Sequence, residues 1–198
     1  MEVLPVDLPA LLSSSSSHSQ QEIATRINQA HHLSVSMQRN SEQLLAEYVR
    51  LQGGPFGNAD FNPPTPAFPG LPFPSLSQEA WKNLSDAERL QQNVTAFSSL
   101  PEFLSAVKRQ QETMNALAAK LHFQLETMGR QCRGMANNLK SIMTALGLAP
   151  EPAPPAELPN PADGFAKKLI GYYVCQLCRD WASRSEADLA FLAGKYPL

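Results

Sequence analysis

Cysteine is scarce, and its placing excludes most of what cysteine usually does. Three residues, Cys132, Cys175 and Cys178, are too few for a disulfide framework. Cys175 and Cys178 are spaced as a CxxC, but inside a helical pattern with no second cysteine pair and no histidine nearby, so a four-ligand zinc site is unsupported. A thioredoxin-like redox pair would stand at a helix N-terminus after a strand, which this one does not. Cys132 falls on a helical apolar stripe, where a thiol acts as a small buried apolar group. Charge of one sign is lacking too: 16 Lys and Arg against 18 Asp and Glu leave a net charge of -2, so bulk charge draws the chain to neither nucleic acid nor anionic membrane. No apolar run reaches the roughly 18 residues that insertion into a membrane requires. The first twelve residues have no basic region, and Pro5, Asp7 and Pro9 interrupt their apolar residues, so no signal peptide is expected. A glycine-rich phosphate loop, an HExxH and a serine nucleophile elbow are all missing, and His31 and His32 lack acidic or cysteine partners at ligand spacing. The expectation is a non-enzyme with no catalytic residues, cofactor or metal.

What the chain does have is helical periodicity punctuated by proline. Residues 1–18, ending in Ser13 to Ser17 and His18, show no apolar period and read as a disordered tail. A bundle of four helices is expected over 19–198. Helix A (about 20–52) opens at a capping box, Ser19 with Glu22, and carries Ile23, Ile27, Ala30, Ser34, Met37, Ser41, Leu44, Tyr48 and Leu51 on one face until Gly53-Gly54-Pro55 stops it. Helix B (about 85–111) opens at Ser85 with Glu88, and Pro101 should kink or split it. Helix C (about 115–147) runs Leu121, Leu125, Met128, Cys132, Met135, Leu139, Ile142 and Leu146 in alternating steps of four and three, with the B to C turn placed near 112–115. Helix D spans about 163–194. The A to B and C to D links are long and proline-rich; the first also holds Phe56, Phe61, Phe68 and Phe73, which give it apolar anchors. Consecutive antiparallel helices need only a short link, whereas parallel neighbours need one that runs back along the bundle. Long, short, long therefore predicts an all-α, long-chain four-helix bundle, up-up-down-down.

Helix D shows two faces. Ile170, Val174, Leu177, Trp181, Ser185, Leu189 and Leu192 line a core stripe, while Phe165 and Lys168 lie roughly 140 to 160° round the helix from it. Either an aromatic and a cation are shown to solvent, or Phe165 folds back on Leu169 as a hydrophobic staple. Sequons occur at Asn83-Leu84-Ser85 and Asn93-Val94-Thr95, so Asn83 and Asn93 are possible glycosylation sites.

Several segments together resemble the interleukin-6 family of long-chain helical cytokines, in its ciliary neurotrophic factor and cardiotrophin branch. These are Gln52-Gly53-Gly54-Pro55-Phe56, Trp81 with Ser85-Asp86-Ala87-Glu88-Arg89-Leu90-Gln91, Ile142-Met143-Thr144-Ala145-Leu146-Gly147-Leu148, and Phe165-Ala166-Lys167-Lys168-Leu169 with Gly171 and Trp181. The likeness runs through nearly all of the chain from Glu22 onward. It implies a secreted, neurotrophic or cardiotrophic ligand, monomeric, that joins two signalling receptor chains; members of the branch also leave the cell without a leader. An F-x-x-K at the start of helix D, matched by Phe165 and Lys168, would contact the leukaemia inhibitory factor receptor. A face of helices A and C, near Gln29, His32, Ser36, Arg130, Gln131, Gly134 and Asn137, would bind glycoprotein-130. Trp81 and Arg184 fit the surface used for an alpha receptor such as the ciliary neurotrophic factor receptor. Ala187 and Ala190, however, replace the His and Arg of ciliary neurotrophic factor, and Trp81 has the alternative task of pinning the proline-rich loop. From another class, an intracellular helical adaptor or a lipid-binding bundle would share the helical pattern, but the polar faces lack the dense Lys and Arg of interfacial helices.

Overall fold

The computed structural model describes residues 8–63, 69–74 and 77–198, with side chains from residue 19 onward. Those residues form four long helices and one short one: α1 (Leu8–Gln52), α2 (Gln78–Lys82), α3 (Asp86–Met114), α4 (Ala119–Ala145) and α5 (Gly164–Lys195). Each apolar stripe read from the sequence is turned inward. Ile27, Ala30, Met37, Leu44 and Tyr48 of α1, Val94, Phe97 and Leu100 of α3, Leu121, Cys132, Met135, Leu139 and Ile142 of α4, and Val174 and Trp181 of α5 are all completely or almost completely buried in one core.

The order of the helices follows from their partners. α1 packs on α4 and α5, and α3 packs on the same two, so α1 lies diagonal to α3. Gln52, the last residue of α1, exchanges side-chain amide hydrogen bonds with Gln111 near the end of α3, so both helices finish at one end of the bundle. α5 starts at that end, where Lys168 reaches the Gln52 carbonyl, and finishes at the other, where Lys195 pairs with Asp86 of α3 at 2.8 Å. The bundle is up-up-down-down.

Caps set most of the boundaries. Ser85 and Glu88 make the reciprocal capping box expected of them, at 2.8 and 3.1 Å. Asp163 accepts from the Ala166 amide at 3.0 Å to open α5. α4 closes with paired bonds from Leu148 N to the Met143 carbonyl and Gly147 N to the Thr144 carbonyl, Gly147 taking φ +76°. That is a Schellman cap, and only the missing Cβ makes the backbone angle cheap.

Four boundaries differ from the sequence reading. α1 does not begin at Ser19 and Glu22: Glu22 pairs with Arg26 at 2.8 Å inside a helix that already runs from Leu8, because no Pro or Gly interrupts 10–52. Of the stretch read as a tail, residues 8–18 continue α1 and 1–7 lie outside the described residues. Of the kink or split expected at Pro101, the split does not occur: the residue is buried within a continuous helix, whose packing outweighs one missing hydrogen bond. The turn to α4 falls at 115–118, capped by Asn115, whose side chain donates to Gln111 Oε1 at 2.8 Å. α2 was hidden in the proline-rich link, and Ser77 caps it.

The three thiols are buried. Burial pushes the Cys175 thiol up, and Cys178 is raised by its hydrogen bond with Cys132 and then by burial, so both stay protonated. The native protein is expected to leave a thiol-specific aromatic disulfide unreacted at mildly alkaline pH and to react at all three cysteines only in denaturant. A fast reaction in buffer would contradict this packing.

Candidate functional site

At the end of the bundle where α1 stops and α5 starts, the chain places Phe165 and Lys168 one turn apart. Phe165 is 47% exposed. Its ring lies 5.6 Å from the ring of buried Phe56, in a cluster that Phe61 and Tyr172 complete. Lys168 is half-buried, and its ammonium donates to the main-chain carbonyl of Gln52 at 3.3 Å. That oxygen closes α1, where the helix dipole and the unsatisfied carbonyls favour a cation. Sequence periodicity put both residues off the core stripe, but could not give their partners, which come from 110 or so positions earlier in the chain.

The second set of residues lies along the α1/α4 seam. Gln29, His32, Arg130 and Asn137 are exposed; Ser36, Gln131 and Gly134 are half-buried. Gln131 bridges the helices, donating to Ser36 Oγ at 3.4 Å and accepting from Asn40 Nδ2 at 3.2 Å. Arg130 pairs loosely with Glu126 at 3.8 Å. Gly134 is not dictated by crowding: a Cβ there would meet only Leu33 Cδ2, at 3.8 Å. Val35, 48% exposed one turn from His32, adds an apolar spot to this face. The sequence stripe could have flagged it, because a valine outside the α1 core positions has to be shown.

The third set is a groove of about 740 Å³ between α2 and the second half of α5, lined by Trp81, Arg89, Arg184, Ala187, Asp188 and Phe191 among others. Trp81 is buried, and its indole N–H donates to Asp188 Oδ1 at 2.7 Å. The Arg184 guanidinium stacks 4.1 Å over the Trp81 ring and donates to the Pro74 carbonyl at 2.9 Å. Trp181 meets Trp81 edge-on at 6.3 Å and donates to the Pro72 carbonyl at 2.8 Å. The two tryptophans and Arg184 therefore pin the loop to α5, and the same Arg184 and Trp81 edges face the groove. Arg89 and Lys195 flank the exposed Phe191 ring at 4.7 and 4.6 Å.

Asp188 is the buried acceptor on which this corner depends. Burial raises its pKa, against the opposing pull of Trp81, Asn93, Arg89 and Arg184. Its second oxygen accepts from Asn93 Nδ2 at 2.8 Å. Asp188→Ala would leave the indole N–H and one amide hydrogen without a partner, and is expected to cost about 2 to 3 kcal/mol of stability in chemical denaturation. The same bond corrects one sequon. Asn93 is 1% exposed and its amide nitrogen is bound to Asp188 and the Arg89 carbonyl, so it is unavailable for glycosylation in the fold, whereas Asn83 is exposed.

Comparison with known proteins gives the family. The family model for plethodontid receptivity factor matches residues 12–197. Cardiotrophin-1 of Mus musculus is 39% identical over 178 residues, covering 86% of each chain. The chain belongs to the ciliary neurotrophic factor and cardiotrophin branch of the interleukin-6 family. Cardiotrophin-2 of Mus musculus is 36% identical over 175 residues, 86% of this chain and 84% of that one. Ciliary neurotrophic factor of Homo sapiens is 30% identical over 128 residues, 63% of each. The motifs quoted from the sequence lean towards cardiotrophin-2; these identities do not favour it over cardiotrophin-1. The protein is a helical cytokine of this branch. No helix among the described residues is long and apolar enough to cross a membrane, and no cluster there is fit to hold a metal ion.

Proposed function

We propose that this cytokine is a secreted, monomeric ligand that brings the leukaemia inhibitory factor receptor and glycoprotein-130 together and so starts kinase signalling, as a neurotrophic or cardiotrophic factor and not as an enzyme. The observation that carries the reading is Phe165, a large aromatic left half in solvent at the start of α5 with the Lys168 cation one turn on. Phe165 offers the apolar anchor and Lys168 a charge with further N–H donors besides the one given to Gln52. Glycoprotein-130 takes the separate α1/α4 face, where Gln29, His32, Arg130 and Asn137 surround the open spot at Gly134. Ser36 on that face and Gln52 beside Lys168 are 16 residues apart on α1, roughly 24 Å at about 1.5 Å per residue, which leaves space for one ligand to hold two chains at once.

The Trp81 and Arg184 edges of the groove are the surface on which an alpha receptor would dock. Small Ala187 and Ala190, both exposed beside it, leave that surface without the polar grip of ciliary neurotrophic factor. A glycan on Asn83 would stand next to it.

Light scattering on the protein mixed with both soluble receptor ectodomains tests the proposal. The expected species holds one ligand and one copy of each receptor. Two separate binary complexes that never combine, or no complex with either chain, would overturn it.

A further inference from the structure

Gly171 stands inside α5, where glycine is a poor helix former. It is buried, and a Cβ built there would overlap the Tyr48 hydroxyl and come within 2.7 Å of its ring carbon Cζ. The missing methyl is a notch, and the phenol of Tyr48, itself fully buried, fills it. From the notch the hydroxyl donates to the main-chain carbonyl of Lys168 at 2.6 Å. A carbonyl has two lone pairs, so this bond adds to the one the helix makes. One turn further along α1, the Gln52 carbonyl accepts from Lys168 Nζ; four residues on again, the Phe56 ring meets Phe165. Residues 48, 52 and 56 thus meet 171, 168 and 165 in antiparallel order.

Two of these three contacts involve the side chains assigned above to the receptor. The third is buried and grips backbone alone, where no partner can reach it. We infer that Tyr48 and Gly171 are positioning residues for the Phe165 and Lys168 surface, fixing the height and rotation of the first turns of α5 against α1. The inference rests on the proposed function. Its physical basis is the thin support of those turns: residues 163–170 are all exposed or half-buried, they follow a long proline-rich link, and burial begins at Gly171. A segment so placed frays unless tethered, and a receptor that must order it loses affinity to that ordering. Tyr48→Phe removes the tether and keeps the ring, so it empties only the space of one hydroxyl in the notch and alters no receptor-facing side chain.

The test combines binding to immobilised ectodomains of both receptors with amide hydrogen exchange along α5. Tyr48→Phe is expected to weaken binding to the leukaemia inhibitory factor receptor on the order of fivefold, the equivalent of one neutral hydrogen bond, and to leave glycoprotein-130 binding unchanged. Exchange should speed up at 166–172 alone. Gly171→Ala, which drives Tyr48 from the notch, should weaken the same receptor more, and adding Tyr48→Leu to make room for the methyl should recover part of the loss. If Phe165→Ala loses binding while Tyr48→Phe and Gly171→Ala both keep it, or if exchange at 166–172 stays at the native rate in Tyr48→Phe, the two residues only pack and the inference fails. If Phe165→Ala itself keeps binding, the receptor assignment fails instead, and the exchange result alone then decides whether Tyr48 positions these turns.

Discussion

Phe165→Ala is expected to weaken binding to the leukaemia inhibitory factor receptor by about 2 to 4 kcal/mol, roughly 30- to 1000-fold, the range of an aromatic hot spot. The folded protein should barely notice. Phe165 is 47% exposed and touches Phe56 at the edge of a cluster that Phe61 and Tyr172 still cover after truncation, so the thermal midpoint should fall by a few degrees at most. Lys168→Ala is expected to do less, because in the free ligand the ammonium already has an acceptor in the Gln52 carbonyl. A receptor group has to compete with that carbonyl, and only the difference appears as affinity. A Phe165→Ala protein that binds the receptor as tightly as the parent would sink the assignment of this surface.

Trp81→Ala is expected to cost about 3 to 5 kcal/mol of folding stability, the usual range for truncating a buried tryptophan. The sequence left Trp81 either as a recognition aromatic or as a pin for the proline-rich loop; it is 6% exposed, edge-on to Trp181 and covered by Arg184, which favours the pin. Truncation removes the partner that Asp188 accepts from and the surface on which the guanidinium rests, and it loosens α2 together with the loop around Pro72 and Pro74. Urea titration followed by the fluorescence of Trp181 measures the change. A loss below about 1 kcal/mol would mean that Trp81 is not a structural pin. Any loss of alpha-receptor binding in Trp81→Ala therefore has to be read against a matching stability curve, whereas Arg184→Ala probes the same groove with less damage to the core.

Local signals were legible in the sequence and long-range ones were not. The stripes of α1 and α4 gave core residues almost one for one because a helix buried on one side repeats its demand every turn. The Ser85 and Glu88 cap and the Gly147 stop were readable because caps are short-range chemistry. The same reasoning misplaced the start of α1, since a capping pair in mid-helix looks like one at a terminus until the preceding residues are known to be helical too. Asn93 read as a possible glycosylation site because the partner that holds its side chain inside, Asp188, is 95 positions away. For Phe165 and Lys168, helical phase correctly gave the outward direction, and the aromatic and carbonyl partners on the far side of the A to B link lay beyond its reach. Gly171 carried the least signal of all: it is a plain glycine in a helix until Tyr48 is seen in its notch.

The central claim is that two separate surfaces hold two different receptors, and a crossed binding measurement tests it most directly. Phe165→Ala/Lys168→Ala and Gly134→Arg are compared with the parent on both immobilised ectodomains. A side chain can start there without a clash, as the nearest atom of α1 to a Cβ at that position is Leu33 Cδ2, 3.8 Å away. The account predicts that the double variant loses the leukaemia inhibitory factor receptor and keeps glycoprotein-130, and that Gly134→Arg does the reverse. If either folded variant loses both receptors, or neither variant loses any, the two-surface account is contradicted.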